Sequence, residues 1–114
     1  MKVLVCGGRD YSDQEYVCAA LDAINPSEIC HGGAKGADTL AGAWALSRHV
    51  KCTVFYADWN KYGRSAGPIR NKQMLDEFQP DAVVAFPGGR GTQNMITQAH
   101  KYGVPVYVQE CECE

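Results

Sequence analysis

A chain of 114 residues with net charge −2, 46% hydrophobic and 21% charged residues has the make-up of one ordinary globular domain. At this length roughly 65% of the unfolded surface can be buried, enough for one real core. The charge excludes a global attraction to nucleic acid or an anionic membrane. No apolar run approaches the ~18 residues of a membrane span, and residues 1–6 lack the length and cleavage pattern of a signal peptide.

Residues 2–6 read as a first strand, followed by the glycine turn Gly7-Gly8-Arg9-Asp10. Ser12-Asp13-Gln14-Glu15 has the S-x-x-E form of a capping box. Val17, Ala20, Leu21 and Ile24 then form the apolar stripe of a helix that Asn25-Pro26 ends. Residues 28–30 are a short second strand, and His31-Gly32-Gly33-Ala34-Lys35-Gly36-Ala37-Asp38 is a second glycine loop. Ala37, Leu40, Ala41, Trp44 and Ala45 recur at helical spacing. Residues 52–56 are a third strand, and residues 57–67 a longer loop carrying Asp58, Trp59, Tyr62 and Arg64. Pro68 suits the first turn of a helix whose apolar stripe is Met74, Leu75 and Phe78. Asn71 falls on that stripe one turn earlier, so a polar amide faces inward. Residues 82–86 are apolar on both faces and therefore a central strand. A third glycine loop follows, Pro87-Gly88-Gly89-Arg90-Gly91-Thr92. Thr92, Met95, Ile96 and Ala99 begin a helix that ends at Gly103. Residues 104–108 are the last strand, at a sheet edge because Pro105 cannot donate to a ladder. Residues 109–114 are expected to be a frayed acidic end.

Six cysteines lie at 6, 18, 30, 52, 111 and 113, with no C-x-x-C pair. Cys6, Cys30 and Cys52 sit in or beside strands, where a free thiol behaves as a small hydrophobe. A disulfide framework is not normally laid over a regular α/β pattern, so reduced thiols and a cytoplasmic location are expected.

The order βαβαβαβαβ with short connections implies a single α/β domain spanning residues 1–114. It is a Rossmann-like parallel five-stranded sheet with right-handed crossovers and helices on both faces. The expected strand order is 3-2-1-4-5, with its switch point between strands one and four. Ligands bind outside the carboxyl ends of the strands at such a point, and all three glycine loops emerge at that end. Glycines let the backbone approach a ligand, and free amides at a helix start attract anions. Arg9, Lys35, Arg64, Arg70 and Arg90 lie on or near the same strand ends. A helix start contributes only about 0.3–1 kcal/mol to an exposed anion, up to ~2 when partly buried. A charge-assisted hydrogen bond adds roughly 1.5–3 kcal/mol, so turn and arginine together are needed for useful affinity. Trp59 and Tyr62 can stack on a base or roof the cleft. Asp38 and Asp58 can bind a ribose hydroxyl or act as acid or base, and Asp38 can instead be a simple cap or a solvated carboxylate. His31 is a structural residue or a proton shuttle. Cys6 reads as core. No Ser-His-Asp set, zinc-ligand spacing or G-x-x-x-x-G-K-[ST] sequence occurs, and no metal or cofactor is expected.

Five blocks of the sequence carry a family resemblance: Val5-Cys6-Gly7-Gly8-Arg9-Asp10, residues 31–38, Ala57-Asp58-Trp59, Ala66-Gly67-Pro68-Ile69-Arg70-Asn71 and Phe86-Pro87-Gly88-Gly89-Arg90-Gly91-Thr92. In these the chain resembles the YspA-like, cpYpsA-related branch of the SLOG superfamily. The resemblance implies a Rossmann-like domain of a bacterium or phage that binds a nucleotide or nucleotide-derived ligand and self-associates. It is more distantly similar to the Lonely Guy phosphoribohydrolases, which pair R-x-x-x-M with P-G-G-x-G-T-x-x-E. Arg70 and Met74 match the first motif and residues 87–92 the second, but Met95 stands where those enzymes have glutamate. Methionine neither takes a proton nor stabilises an oxocarbenium charge.

The favoured reading is therefore a protein that binds a nucleotide or ADP-ribose-like molecule, as a sensor or sequestering protein. The expected ligand-binding residues are Gly7, Gly8, Arg9, Gly32, Gly33, Lys35, Gly36, Asp38, Asp58, Trp59, Arg70, Asn71, Pro87, Gly88, Gly89, Arg90, Gly91 and Thr92. An N-glycosidase acting on nucleoside monophosphates or NAD derivatives is the first alternative, with Asp38, Asp58 and Arg70 as its candidate catalytic residues. A single-stranded DNA binder is the second, which the net charge opposes. A purely structural domain is the third.

Overall fold

The computed structural model describes residues 1–109. Its elements run β1 (Lys2–Cys6), α1 (Gln14–Ile24), β2 (Glu28–His31), α2 (Ala37–Arg48), β3 (Lys51–Val54), α3 (Trp59–Tyr62), α4 (Ala66–Gln73), β4 (Ala82–Ala85), α5 (Arg90–Lys101) and β5 (Val106–Val108). The strands form one parallel sheet in the order β3-β2-β1-β4-β5, as the alternation of strand and helix implies. Leu4 stands opposite both Cys30 of β2 and Val83 of β4. This register aligns the carboxyl ends of β1, β2 and β4.

Alternation along the central strands divides the core into two layers. Val3, Val5, Val84 and Phe86 point to one face, where they meet Val17 and Leu21 of α1 and Ala41, Trp44 and Ala45 of α2. Leu4, Cys6, Val83 and Ala85 point to the other, against Met74, Leu75 and Phe78 and against Met95 and Ala99 of α5. Each fully buried aliphatic of these layers contributes about 1.5–3 kcal/mol relative to exposure. Cys6 and Cys30 are buried free thiols and Cys18 and Cys52 half-buried ones. Cys111 and Cys113 lie outside the described residues.

Local structure departs from the sequence reading in three places. Helix α1 is capped by Asp13, whose Oδ1 accepts from the Tyr16 amide at 3.0 Å. The cap lies one residue later than the expected Ser12, because the Asp13 carboxylate takes the Tyr16 amide. Strand β3 stops at Val54, opposite His31 at the end of β2. Phe55 still donates to the His31 carbonyl at 2.9 Å, so Phe55 and Tyr56 run beyond the sheet. The segment read as a loop contains α3, then a 3-10 turn over Gly63–Ser65 leading into α4. Four residues are too few to show a helical period. Pro68 does occupy the first turn of α4, which continues as a π-helical turn over Met74–Phe78. β5 is an edge strand, and the Pro105 carbonyl just before it accepts from Val83 at 2.9 Å.

Candidate functional site

The chain leaves β1 and β4 in opposite directions, and a cavity of about 570 Å3 opens between their carboxyl ends. Its floor is a junction of three loops. The Gly8 amide donates to the Pro87 carbonyl at 2.9 Å, and the Gly8 carbonyl accepts from Ala37 at 3.2 Å. A Cβ on Gly8 would lie 2.8 Å from the Pro87 carbonyl oxygen, and one on Gly88 would collide with Gly8 and Thr92. Gly36 caps α2 at φ 78, and a Cβ there would collide with the Gly8 and Arg9 carbonyls. Only glycine takes that angle in that space without strain.

The second glycine loop is folded back on its own side chains. Asp38 Oδ2 accepts from the Gly32 amide at 3.1 Å and the Ala34 amide at 3.2 Å. His31 Nδ1 accepts from the Gly33 amide at 2.9 Å. That bond leaves Nε2 to carry the proton of a neutral ring. Burial, with Arg70 nearby, pushes the His31 pKa down, so the ring stays neutral and structural. Burial pushes the Asp38 carboxyl up, opposed first by the Ala34 amide and then by Arg70. Asp38 also lines the cavity, and among the described residues no hydrogen bond engages its Oδ1. The Cys6 thiol beside it is pushed up to about 12 by burial and then by Asp38, which keeps it protonated and unreactive.

Helix α4 supplies the far wall. Arg70 Nη1 donates to the Gly32 carbonyl at 2.6 Å and Nε to Asn71 Oδ1 at 3.0 Å. Asn71 Nδ2 in turn donates to the Gly91 carbonyl at 3.3 Å and to Asn94 Oδ1 at 3.1 Å. Gln98 donates to the same Asn94 oxygen at 2.8 Å. The inward-facing amide expected from the sequence thus joins α4 to the first turn of α5. That turn begins at Gly89 with no side-chain cap, so its first amides are open to an anion. A Cβ on Gly89 or Gly91 would touch nothing within 4 Å.

Arg9, Arg64, Arg70 and Arg90 line the cavity against the carboxylates of Asp10 and Asp38. The ion pairs among the described residues join Arg48 to Asp22, Lys51 to Glu28 and Lys72 to Asp76. None of these involves a cavity residue. The Arg9 guanidinium lies 5.6 Å from the centre of the Trp59 ring.

Of the residues expected at the site, Gly7, Gly8, Arg9, Gly32, Asp38, Trp59, Arg70, Asn71, Gly89, Arg90, Gly91 and Thr92 line this cavity. Gly33 and Lys35 line a neighbouring one. Gly36, Pro87 and Gly88 form the junction behind the floor. Asp58 is exposed and caps α3, accepting from Lys61 at 3.1 Å. Met95 is 1% exposed and packs in the core below the floor. Sequence reasoning missed Asn94 and Tyr56. The buried amide of Asn71 needed a partner on a facing helix, which was the available signal for Asn94. Nothing local pointed to Tyr56.

Comparison with known proteins adds two findings. The profile of the YspA, cpYpsA-related SLOG family (YAcAr) matches residues 1–62, which carry the first two glycine loops and Trp59. The chain is also similar to the Gene 61 protein of Mycobacterium phage D29. The two are 37% identical over 117 residues, covering 92% of this chain and 93% of the phage protein. No helix among the described residues is long and apolar enough to cross a membrane.

Proposed function

The chain belongs to the YspA, cpYpsA-related SLOG family, and we propose that its crevice binds a nucleotide or nucleotide-derived ligand of the ADP-ribose type, as a sensor or sequestering protein. The observation that carries this reading is the set of arginines lining the same cavity as the uncapped start of α5. Arg9, Arg64 and Arg90 have no acidic partner among the described residues, and they face a cavity whose floor offers free amides. The ligand phosphate belongs at Gly89–Thr92 rather than at Gly32–Ala34, because Asp38 and His31 already occupy the three amides of that loop. A helix start worth at most ~2 kcal/mol gives no useful affinity alone. Two arginine contacts at roughly 1.5–3 kcal/mol each bring it into a working range.

Thermal shift with AMP, ADP-ribose and NAD tests the reading. Stabilisation should follow RT ln(1 + [L]/Kd) in the wild type and vanish in Gly89→Val. That variant keeps its fold because the added side chain meets open space. Equal shifts in both proteins would remove the α5 start from the site.

One observation favours a second reading, cleavage of an N-glycosidic bond. Asp38 lines the cavity with a carboxyl whose pKa burial raises, the condition for a general acid. Stoichiometric protein incubated with nucleoside monophosphates, NAD and cyclic ADP-ribose separates the two. A binder returns the ligand intact, whereas free base lost in Asp38→Asn would establish the enzyme.

A further inference from the structure

The crevice does not end at Arg70. Beyond it lies a second cavity of about 540 Å3, which adds Gly33, Lys35, Tyr56 and Ala57 to walls shared with the first. Arg9, Trp59 and Arg70 stand on both sides of the division. We propose that the site takes a two-ended nucleotide, two ring-bearing halves joined through phosphate. Tyr56 is the platform for the distal half and Arg70 the contact for the link. The proposal rests on the nucleotide reading and extends it to the class of ligand.

Three observations carry it. The two cavities share Arg9, Asp10, Gly32, Ala34, Trp59 and Arg70, so they are continuous and one extended ligand can reach from the first into the second. Arg70 is immobilised at the division by its bonds to Gly32 and Asn71. Among the described residues its Nη2 has no acceptor, which leaves a fixed cationic donor where a linking phosphate would pass. Finally, Tyr56 is 73% exposed although it is a large aromatic. It is held at the rim because Gly33, at φ 71, gives it room: a Cβ there would lie 2.5 Å from the ring. Trp59, 50% exposed, faces the same division with Arg9 against its ring. Exposed aromatics sharing a cavity with Arg9 and Lys35 suit a stacked ring next to phosphate.

Calorimetric titration of the full chain with AMP, ADP-ribose and diadenosine diphosphate tests the proposal, in wild type, Tyr56→Ala and Tyr56→Phe. Stacking on one aromatic side chain is worth about 5- to 150-fold in affinity. Diadenosine diphosphate should therefore bind the wild type at least ~5-fold tighter than AMP. Tyr56→Ala should erase that advantage and leave AMP affinity unchanged, while Tyr56→Phe retains it. Equal affinities for AMP and diadenosine diphosphate would overturn the two-ended site and leave nucleotide binding standing. So would a Tyr56→Ala variant that weakens both alike. Binding of none of the three probes would overturn the nucleotide reading itself, and this proposal with it.

Discussion

Replacing Asp38 by alanine tests whether this carboxylate holds the second glycine loop in place. Oδ2 is the partner of two amides, Gly32 at 3.1 Å and Ala34 at 3.2 Å. A buried donor left without a partner costs about 1–3 kcal/mol. Gly32 is buried and bears the full cost, whereas Ala34 is half-buried and recovers part of it from water. Asp38 also sits in the first turn of α2, where an acid is worth about 0.3–1 kcal/mol. Against these losses, alanine removes a charge that burial disfavours, as the raised pKa records. The net loss expected is about 2–3 kcal/mol, or about 8–12 °C in Tm at some 4 °C per kcal/mol for a domain of this size. Asp38→Asn keeps an acceptor oxygen and should lose about 1 kcal/mol or less. Urea denaturation measures both, and amide exchange at Gly32 and Ala34 should accelerate in the alanine variant. An Asp38→Ala protein within about 0.5 kcal/mol of wild type would refute the reasoning. Equal damage from asparagine would mean that charge, not the two bonds, is what the loop needs.

Met95→Glu, the substitution that restores the Lonely Guy pattern, should unfold the chain or cost several kcal/mol without creating hydrolysis, because residue 95 lies in the core at 1% exposure; a stable, hydrolytic variant would contradict that placement. Nucleotide affinity should fall less than about tenfold between 50 and 200 mM salt, whereas a DNA groove contacting many phosphates loses about 10³ or more; tight, steeply salt-dependent oligonucleotide binding without mononucleotide binding would reverse the assignment. Ligand should change the emission of Trp59, which is half exposed beside Arg9, and Trp59→Phe should remove that change, leaving buried Trp44 as a silent reporter. The folded-state pKa of His31 is depressed below 6.5, so its contribution to stability is complete above pH 6.5 and is lost as pH falls below it. Asp38, with its pKa raised, acts with the opposite sign. The wild-type curve should therefore drop more steeply below pH 6.5 than that of His31→Gln, and parallel curves would refute this.

The sheet order and the convergence of the three loops were legible because both follow from alternating strand and helix signals and from the handedness of crossovers. What escaped the sequence depends on contacts that no local period encodes. Asp38 was read as acid, base or cap. It reaches back to Gly32 and Ala34 only because Gly36, at positive φ, turns the chain between them. Asp58 has the same residue type and lies in a neighbouring motif, yet it is an exposed cap of α3. Met95 was read only as the residue standing where the hydrolases have glutamate, and the structure puts it beneath the floor, in the core cluster of Leu4, Cys6 and Val83.

The glycines themselves divide by what surrounds them, and the division sharpens the functional reading. A glycine-rich loop signals close approach, but the signal does not say of what. At Gly8, Gly36 and Gly88 the approaching group is the chain itself: the Pro87 carbonyl at Gly8, the Gly8 and Arg9 carbonyls at Gly36, and the Gly8 backbone with the Thr92 hydroxyl at Gly88 occupy the space a side chain would need. Those residues bring β1, β4 and α2 together, and substituting them tests folding rather than binding. At Gly89 and Gly91 nothing in the protein lies within 4 Å of the missing Cβ. Neither has positive φ, so neither packing nor a left-handed backbone demands glycine there. The remaining physical reason for a bare backbone in a cavity lined by arginines, at an uncapped helix start, is the approach of something from outside. Gly89→Val and Gly8→Val should therefore separate cleanly. The first should lose ligand and keep its Tm. The second should lose stability even when no ligand is present. If both variants unfold, or both stay folded and bind, glycine content at this crevice carries no information about a ligand.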